Sequence, residues 1–170
     1  MSDRGRGAEP AAGAAGVGGA LWLAGLALIG FGLAAYLTSV HYAAVPLACP
    51  STGVINCQLV TTSSYSVIPG TSVPITVPGM LYFLLSLGLA IQQLREPERA
   101  GWRQLHAAWA GLGTLTVFYL VFVEMVKLHE ICLWCTGVHL VILATLITTV
   151  WRGAADRTGP AGDTLSSAAS

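Results

Sequence analysis

The feature that most constrains this fold is a long stretch of the chain, between Glu9 and Arg95, that contains no Asp, Glu, Lys or Arg. About a quarter of the residues in an ordinary soluble domain are charged, whereas here 9% are charged and 54% are hydrophobic. The hydrophobic residues form long continuous runs, which indicates that lipid surrounds most of the surface. The sequence therefore predicts a membrane protein rather than a soluble globule.

Four apolar windows in the sequence are candidate transmembrane helices. A helix rises about 1.5 Å per residue, so about 20 apolar residues cross about 30 Å of hydrocarbon. The windows are residues 21–40, 80–94, 105–123 and 131–151. The second is somewhat short, and we expect its helix to extend backward through Pro78 and Gly79. We therefore predict an all-α membrane protein with a bundle of four transmembrane helices.

The basic residues predict the orientation of this bundle, because Lys and Arg concentrate in short cytoplasmic loops. Seven of the eight basic residues lie before the first window, between the second and third windows, or after the fourth, and only Lys127 lies on the other side. We expect a multi-pass protein of the inner (cell) membrane with both termini in the cytoplasm. Residues 42–78 and 124–131 then face the extracytoplasmic side.

The composition of the two ends predicts a division of the chain into three parts. Small and polar residues, chiefly Ala and Gly, dominate both ends, as in segments that have no fold of their own. We expect a mobile cytoplasmic N-terminus (residues 1–19), a four-helix domain (20–151) and a mobile cytoplasmic tail (152–170). The first window is too long for a secretory signal, so we predict an uncleaved anchor.

The charge balance excludes one class of partner. Eight basic and eight acidic residues give no net charge and form no basic stripe, whereas nucleic-acid binding requires a positive surface. The chain also has no G-x-G-x-x-G, no Walker sequence and no metal-binding motif.

The outer segment, residues 42–78, is uncharged yet rich in Pro, Gly, Ser and Thr. Surface loops usually carry charged residues. Its apolar residues favour a loop that rests on the membrane surface and caps the bundle. The alternative is a simple tether between two helices.

All four cysteines lie on the predicted outer side. Cys49 and Cys57 are in the outer segment, and Cys132 and Cys135 are at the start of the last window. Disulfides persist on the oxidising side of a membrane. A C-x-x-C at a helix N-terminus is typical of reactive thiols, because unpaired N–H groups stabilise a thiolate. Together the two pairs predict a thiol-disulfide relay, with all four cysteines as catalytic candidates.

Three other interpretations of the cysteines compete with this relay. A four-cysteine zinc site usually has short paired spacings in hydrophilic knuckles, unlike these. Two inert disulfides that staple a non-enzymatic four-helix protein are a more plausible alternative. A relay that runs in reverse and exports reducing power is disfavoured, because no cysteine lies on the cytoplasmic side, where its electrons would enter.

Other polar and aromatic residues near the C-x-x-C have less specific interpretations. His139 follows Cys135 by four residues, so both share one helical face. Three roles for His139 remain open: a hydrogen-bond donor to a bound carbonyl, a proton carrier, or a packing residue that forms its hydrogen bond with a neighbouring helix. Glu124, His129 and Glu130 are interpreted as solvated residues of the turn before the last helix. The aromatic residues of the second and third windows are interpreted as packing or interfacial residues, some of which line a flat apolar cavity: Tyr82, Phe83, Trp109, Tyr119 and Phe122.

The combined pattern resembles the vitamin K epoxide reductase family in a bacterial form. The pattern is a C-x7-C in the first outer loop, followed by Val-Thr-Thr-Ser-Ser-Tyr at 60–65, a Val-Pro-Gly at 77–79 and a C-x-x-C that opens the last helix. The resemblance covers roughly residues 20 to 151. Another quinone-linked family that makes disulfides carries its C-x-x-C in the first outer loop instead. Many bacterial members have an acid after the second loop cysteine, where this chain has Gln58.

The resemblance implies a four-helix bundle around a quinone, capped by a loop with a short horizontal helix near residues 63–65. It implies that Cys132 and Cys135 are the redox centre, with Cys135 nearest the quinone, and that Cys49 and Cys57 are the shuttle pair. It also implies quinone-binding roles for Ser63 and His139.

The implied activity is that of a quinone-dependent thiol-disulfide oxidoreductase, with menaquinone or ubiquinone as its quinone. A dithiol releases two electrons and two protons on oxidation, and a quinone accepts both. Some family members carry a fused thioredoxin-like domain, and this chain ends soon after Arg152. We therefore expect a separate thioredoxin-like (Dsb-type) partner, with membrane lipid around the bundle.

Overall fold

The computed structural model of the protein describes residues 9–49 and 52–158. The elements in chain order are α1 (Glu9–Ala43), α2 (Cys57–Thr62), α3 (Thr76–Arg95), α4 (Ala100–Phe122), a π-helical turn (Val123–Leu128) and α5 (Leu133–Thr158). Within the described ranges, β contacts are limited to three isolated bridges. The helices α1, α3, α4 with its π-turn, and α5 are each long and apolar enough to cross a membrane. The predicted all-α fold with four spanning helices is confirmed.

Two of the spanning helices extend beyond the apolar windows that predicted them, and beyond the expected ends of the four-helix domain at residues 20 and 151. Helix α1 begins at Glu9, so residues 9–19, expected to have no fold of their own, are helical. The Ala-rich sequence of this segment explains the extension, since Ala has the highest helix propensity. Helix α5 continues to Thr158, past the expected end of the domain at residue 151. The rest of the two expected tails, residues 1–8 and 159–170, lies outside the described residues.

The core of the bundle contains side chains from all four spanning helices. Its buried members are Leu26, Ala34, Phe83, Val117, Val141 and Ile142. Many large apolar side chains of the same helices are exposed instead, among them Leu85, Leu115, Phe118, Leu140 and Ile147. Such outward apolar surface is expected where lipid, not water, surrounds a bundle.

Helices α1 and α3 approach closely at Gly30, and the Phe83 ring occupies the space that a Cβ at Gly30 would need. Small residues allow this kind of close packing between membrane helices, where van der Waals contact replaces the hydrophobic effect as the driving force. Phe83 is itself fully buried and belongs to the core cluster. The Gly30–Phe83 contact therefore sets the distance between the first two spanning helices.

A network of buried polar groups joins all four spanning helices at the end remote from the cysteines; we call it the polar clasp. Arg152 donates to Gln93 Oε1 and to the carbonyl oxygen of Gly16, both at 2.9 Å. Because that amide oxygen accepts, the Gln93 amide nitrogen faces His106 Nδ1 at 2.9 Å and donates to it. Because Nδ1 of His106 accepts this hydrogen bond, the ring is neutral and carries its proton on Nε2. Gly19 leaves room for the Arg152 side chain, since a Cβ there would meet its guanidinium.

The chain between α4 and α5 contains a wider helical turn. The N–H groups of both His129 and Glu130 reach the carbonyl oxygen of Glu124, and His129 ends the turn in the left-handed region with φ 55°. A π-turn holds one more residue than an α-turn, so it changes which side chains face inward, and such turns are frequent at functional sites. Glu124 is one of the buried residues of this turn.

We expect Gly30→Ala to destabilise the protein, because the added methyl overlaps the Phe83 ring in a packed core. Overpacking of this kind costs about 1–3 kcal/mol. Gly32→Ala is the matched control, since no atom of the described structure lies within 4 Å of a Cβ at that position of the same helix. Thermal unfolding in detergent should show a lower Tm for Gly30→Ala alone, and equal Tm values for the two variants would contradict the packing described here.

Candidate functional site

The loop between α1 and α3, described at residues 44–49 and 52–75, covers the end of the bundle where α5 begins; we call it the capping loop. Its backbone pairs with the residue before Cys132: Ile131 donates to the carbonyl oxygen of Val54 at 2.7 Å, and Asn56 donates to that of Ile131 at 3.1 Å. Ile55 and Ile131 thus form a parallel bridge. We call this backbone pairing the loop clamp. Because Cys57 follows Asn56 and Cys132 follows Ile131, the loop clamp brings the two cysteines next to each other.

A second set of contacts holds the other end of the loop disulfide. The indole N–H of Trp134, inside the C-x-x-C, donates to the carbonyl oxygen of Ala48 at 3.0 Å. The Trp134 ring also contacts Tyr36 of α1, with ring centroids 4.7 Å apart. Ala48 directly precedes Cys49. Both loop cysteines are therefore positioned by residues next to or within the C-x-x-C, and the predicted cap over the bundle is present.

Cys49 and Cys57 form a disulfide, and the two cysteines differ in exposure. The side chain of Cys57 is 1% exposed and lies in one cluster with Cys132, whereas Cys49 is half-buried at the edge of that cluster. Cys57 therefore faces the second cysteine pair, and Cys49 is the more accessible end of the disulfide. Because these two cysteines are bonded to each other, a zinc site made of all four cysteines does not fit this structure.

Cys132 and Cys135 are free thiols at the beginning of α5. Cys132 is 0% exposed and immediately precedes the helix. The Cys135 thiol donates to Cys132 Sγ at 2.7 Å, and the backbone N–H of Cys135 donates to the same sulfur at 3.2 Å. The thiol hydrogen bond from Cys135 is the main cause that holds the pKa of the Cys132 thiol below its ordinary value. In the reduced pair, these hydrogen bonds therefore favour the thiolate of Cys132 over that of Cys135.

Two adjoining cavities lie beneath the capping loop. The loop-side chamber, of about 70 Å³, is bounded by the loop and by the ends of α1, α3, α4 and α5. The helix chamber, of about 200 Å³, extends from it between α1, α3, α4 and α5. Six residues line both chambers: Leu37, Ile75, Thr76, Leu120, Cys135 and His139. The two cavities therefore meet at Cys135 and His139.

The far part of the helix chamber is lined by aromatic and small residues held in fixed positions. The ring of Tyr82 stacks on Trp109 at 5.3 Å with an interplanar angle of 16°, and the Trp109 indole N–H donates to the carbonyl oxygen of Tyr82 at 3.2 Å. Gly113 allows the Tyr82 ring to approach α4, since a Cβ there would meet that ring. The result is a rigid apolar cavity, as expected for aromatic residues that line a binding slot.

His139 is 6% exposed and lines both chambers together with Cys135. This agrees with the four-residue spacing, which places the two side chains on one helical face. Thr136, at the neighbouring position, instead donates its hydroxyl to the carbonyl oxygen of Cys132 at 3.0 Å. His139 therefore reaches the cavities, whereas Thr136 bonds to the backbone of its own helix.

The short helix of the capping loop begins earlier than the resemblance implied. It spans Cys57–Thr62 rather than residues 63–65, because Asn56 caps its N-terminus by accepting the N–H of Leu59 at 3.0 Å. Ser63 follows as the C-cap; its hydroxyl donates to the carbonyl oxygen of Val60 at 2.8 Å, while its side chain lines the loop-side chamber. Gln58 accepts the N–H of Leu47 at 3.3 Å, so it ties the two halves of the loop together.

Glu124 was misassigned by sequence reasoning, which placed it in solvent. The structure places it 6% exposed in the wall of the loop-side chamber, together with Cys135 and His139. The helical spacing could have predicted this position. Val117 and Leu120, which face inward, precede Glu124 by seven and four residues, and residues at that spacing share one helical face. His129, by contrast, is exposed and Glu130 half-buried.

Comparison with known proteins identifies the family of the chain. The chain has no match among curated proteins. The family model described as "Vitamin K epoxide reductase family" matches residues 21–150, a range that contains most of each spanning helix, both cysteine pairs and the capping loop. The family is one of helical membrane bundles with redox and disulfide chemistry, which fits the free thiol pair, the loop disulfide and the cavities between them. The chain therefore belongs to the vitamin K epoxide reductase family.

Proposed function

We propose that the protein is a membrane thiol-disulfide oxidoreductase that oxidises an extracytoplasmic thioredoxin-like protein and reduces a membrane quinone, menaquinone or ubiquinone. Electrons pass from the partner to the loop pair, then to the C-x-x-C pair, and finally to the quinone. The activity supports disulfide-bond formation in proteins outside the cytoplasm. Family members are generally oxidoreductases that use quinones and thioredoxin-like partners, which supports the proposal.

The observation that carries this proposal is the position of Cys135. Of the four cysteines, all of which are described, it is the member that lines both chambers. Its partner Cys132 is buried against Cys57 in the loop cluster. The C-x-x-C thus has one sulfur directed to the loop disulfide and one directed to the cavity, as a relay between two electron carriers requires.

The size and the apolar lining of the cavities support a quinone as their occupant. Their volume, about 200 Å³ for the helix chamber alone, is many times the roughly 10–15 Å³ that one water molecule needs. Leu37, Phe83 and Val117 give an apolar wall, and His139 offers a hydrogen-bond donor beside Cys135. A quinone bound there would accept the two electrons and two protons that the Cys132–Cys135 dithiol releases.

The relay begins at the accessible end of the loop disulfide. A partner thiolate attacks Cys49 Sγ and releases Cys57 as the leaving thiolate, since disulfide exchange proceeds through a mixed disulfide. The second thiol of the partner then attacks its own sulfur in that mixed disulfide, so the partner leaves oxidised and Cys49 is released as a thiolate. Cys57 next attacks Cys132 Sγ of the oxidised C-x-x-C, and Cys135 leaves as a thiolate. When Cys49 displaces Cys132 from Cys57, the loop disulfide is restored and the C-x-x-C holds two electrons, which is the redox arrangement of this structure.

The residues around Cys135 prepare the second half of the reaction. His139 lies in the same cavity wall and is positioned to donate a hydrogen bond to a carbonyl oxygen. Ser63 lines the neighbouring chamber, but its hydroxyl hydrogen is used by the carbonyl of Val60, so we assign it to shaping the chamber. The capping loop lies over this part of the bundle and separates the Cys135 sulfur from the aqueous side.

The distribution of basic residues supports an orientation with the capping loop outside the cell membrane and both termini inside. This places the loop disulfide on the side where disulfides persist. Labelling of reduced Cys49 in intact cells by a membrane-impermeant reagent tests this orientation. Labelling that required access from the cytoplasm would contradict it.

We expect the purified protein to form quinol from a short-chain quinone when a reduced thioredoxin-like protein is supplied. Cys135→Ser should abolish quinol formation, because the sulfur that lines the cavity is lost. The measurement is quinone absorbance over time, with circular dichroism as a check that the variant folds. A rate for wild type no higher than for Cys135→Ser would favour the alternative, a non-enzymatic four-helix protein in which the cysteines only form structural disulfides.

The structure distinguishes the two loop cysteines, so we expect Cys49→Ser, and not Cys57→Ser, to accumulate an internal disulfide. Without Cys49, the Cys57–Cys132 bond cannot be resolved by its loop partner. Non-reducing peptide mapping after oxidation should show Cys57 linked to Cys132. If neither variant shows a cross-link to Cys132 during turnover, the loop pair is a structural disulfide and the proposed relay is wrong.

We expect His139→Leu to raise the KM for quinone or lower kcat by about tenfold, which corresponds to the loss of one hydrogen bond of about 1.4 kcal/mol. Exchange between the loop pair and the partner should stay unchanged, because His139 is not part of the loop cluster. Steady-state kinetics and a separate thiol-exchange assay measure the two steps. Unchanged quinone kinetics in a folded variant would make His139 a packing residue.

A further inference from the structure

Glu124 is a buried acid in the wall of the loop-side chamber. It is 6% exposed and lines this chamber with Cys135 and His139. The backbone N–H of Cys132 donates to its carboxylate. Lys127, the basic residue of the same π-turn, instead lies over the Phe122 ring at 6.0 Å from its centroid. No cation of the described residues forms an ion pair with Glu124, and a buried carboxylate in that situation is costly in a membrane bundle and commonly marks a functional position.

Several elements direct titratable groups at the space around Glu124. Helix α5 and the residue before it contribute two thiols and a histidine, α1 contributes a histidine, and the capping loop contributes a tyrosine. The residues are Cys132, Cys135, His139, His41 and Tyr65. Glu124 interacts electrostatically with Cys132, and its negative charge disfavours the thiolate there. Since a carboxylate and a thiolate repel each other in this confined space, loss of a proton by a thiol favours its gain by Glu124.

The reaction requires such a proton acceptor. Oxidation of the Cys132–Cys135 dithiol forms one S–S bond and releases two electrons and two protons. Both electrons and, in the end, both protons go to the quinone. The first proton must nevertheless leave a thiol before that sulfur donates electrons, because the thiolate is the reactive form. The site is covered by the capping loop, so a protein group has to accept this proton.

We propose that Glu124 is the proton acceptor for the C-x-x-C dithiol, holding the thiol proton within the loop-side chamber until it passes to the reduced quinone. This inference rests on the proposed function in one respect, since it names the reduced quinone as the final acceptor of the proton. The electrostatic coupling of Glu124 to the thiols is independent of the quinone, so it can be tested on protein that contains none. Glu124 thereby joins Cys135 and His139 in one cavity wall as the group that moves a proton while the sulfurs move electrons.

The first experiment measures this coupling in fully reduced, quinone-free protein in detergent. The rate of alkylation of Cys132 by iodoacetamide is followed against pH, with each cysteine resolved by mass spectrometry. Removal of the carboxylate by Glu124→Gln removes a charge that disfavours the thiolate, so the midpoint of the Cys132 profile should move to lower pH. The midpoint for Glu124→Asp should lie closer to that of wild type than the midpoint for Glu124→Gln does, because Asp retains the carboxylate.

Glu130→Gln is the matched control. It removes another half-buried acid close to Cys132 in sequence, and Glu130 does not line either chamber. Its alkylation profile should match that of wild type. An unchanged midpoint in Glu124→Gln, or an equal shift in Glu130→Gln, would overturn the proposal.

The second experiment measures the proton transfer itself in a single turnover. Prereduced protein is mixed with a short-chain benzoquinone, and quinol formation is followed by absorbance. Glu124→Gln should slow this step about 100-fold at neutral pH, the usual contribution of a positioned acid or base. The proton concerned is that of the Cys135 thiol, which donates to Cys132 Sγ, and the rate should recover at high pH, where hydroxide removes this proton in place of Glu124. A uniform loss at all pH values would indicate a structural role and overturn the proposal.

The two arms separate failure of this inference from failure of the proposed function. If wild-type protein forms no quinol, the proposed function is wrong, while the alkylation profiles still decide whether Glu124 is coupled to the thiols. If wild-type protein forms quinol and Glu124→Gln does so at the same rate and with the same pH profile, the proposed function stands. The role of Glu124 is then wrong.

Discussion

The candidate site depends on the loop clamp, the short backbone pairing between residues 54–56 and Ile131. Two hydrogen bonds there position Cys57 beside Cys132, although the two cysteines are far apart in sequence. Backbone groups suit this task, because their geometry does not vary with side-chain rotation and their burial requires that they be paired. The Trp134 indole adds a third bond on the Cys49 side. A loop tethered only by its two helices would leave the distance between the cysteine pairs undefined.

In the proposed relay, the two cysteine pairs divide the chemistry between the aqueous side and the interior of the bundle. Cys49 is the more accessible sulfur of the loop pair, whereas Cys135 lines a cavity inside the bundle. One pair could not serve both positions, because an accessible sulfur cannot also lie in an apolar slot. Cys57 and Cys132 are buried where the pairs meet, which would keep the proposed exchange away from other thiols. This arrangement would explain why such a relay needs four cysteines although one pair suffices for the redox change.

The features that could be predicted from the sequence are those that depend on amino-acid composition and on the helical spacing of residues. The four spanning helices follow from long apolar runs, and the common face of Cys135 and His139 follows from a four-residue spacing. The position of Glu124 was missed because the helix was expected to end at the last apolar residue, whereas the π-turn continues it to Leu128. The start of α2 was also misplaced, since the resemblance located the helix and the Asn56 cap was overlooked. Pairing of residues 54–56 with Ile131 depends on tertiary contact and has no local signal in the sequence.

The polar clasp has a mechanical consequence for the opposite end of the molecule. Each of the four spanning helices contributes one residue to the clasp: Gly16, Gln93, His106 and Arg152. Along α5, at 1.5 Å per residue, Cys135 lies about 25 Å from Arg152. The loop clamp and the Trp134 indole hold the start of α5 at the other end. Helix α5 is therefore hydrogen-bonded to its neighbours at both ends, and the two chambers lie between these ends. A rigid tilt of α5 would break bonds at one end or the other, so only bending of the helices between the two ends can change the width of the chambers.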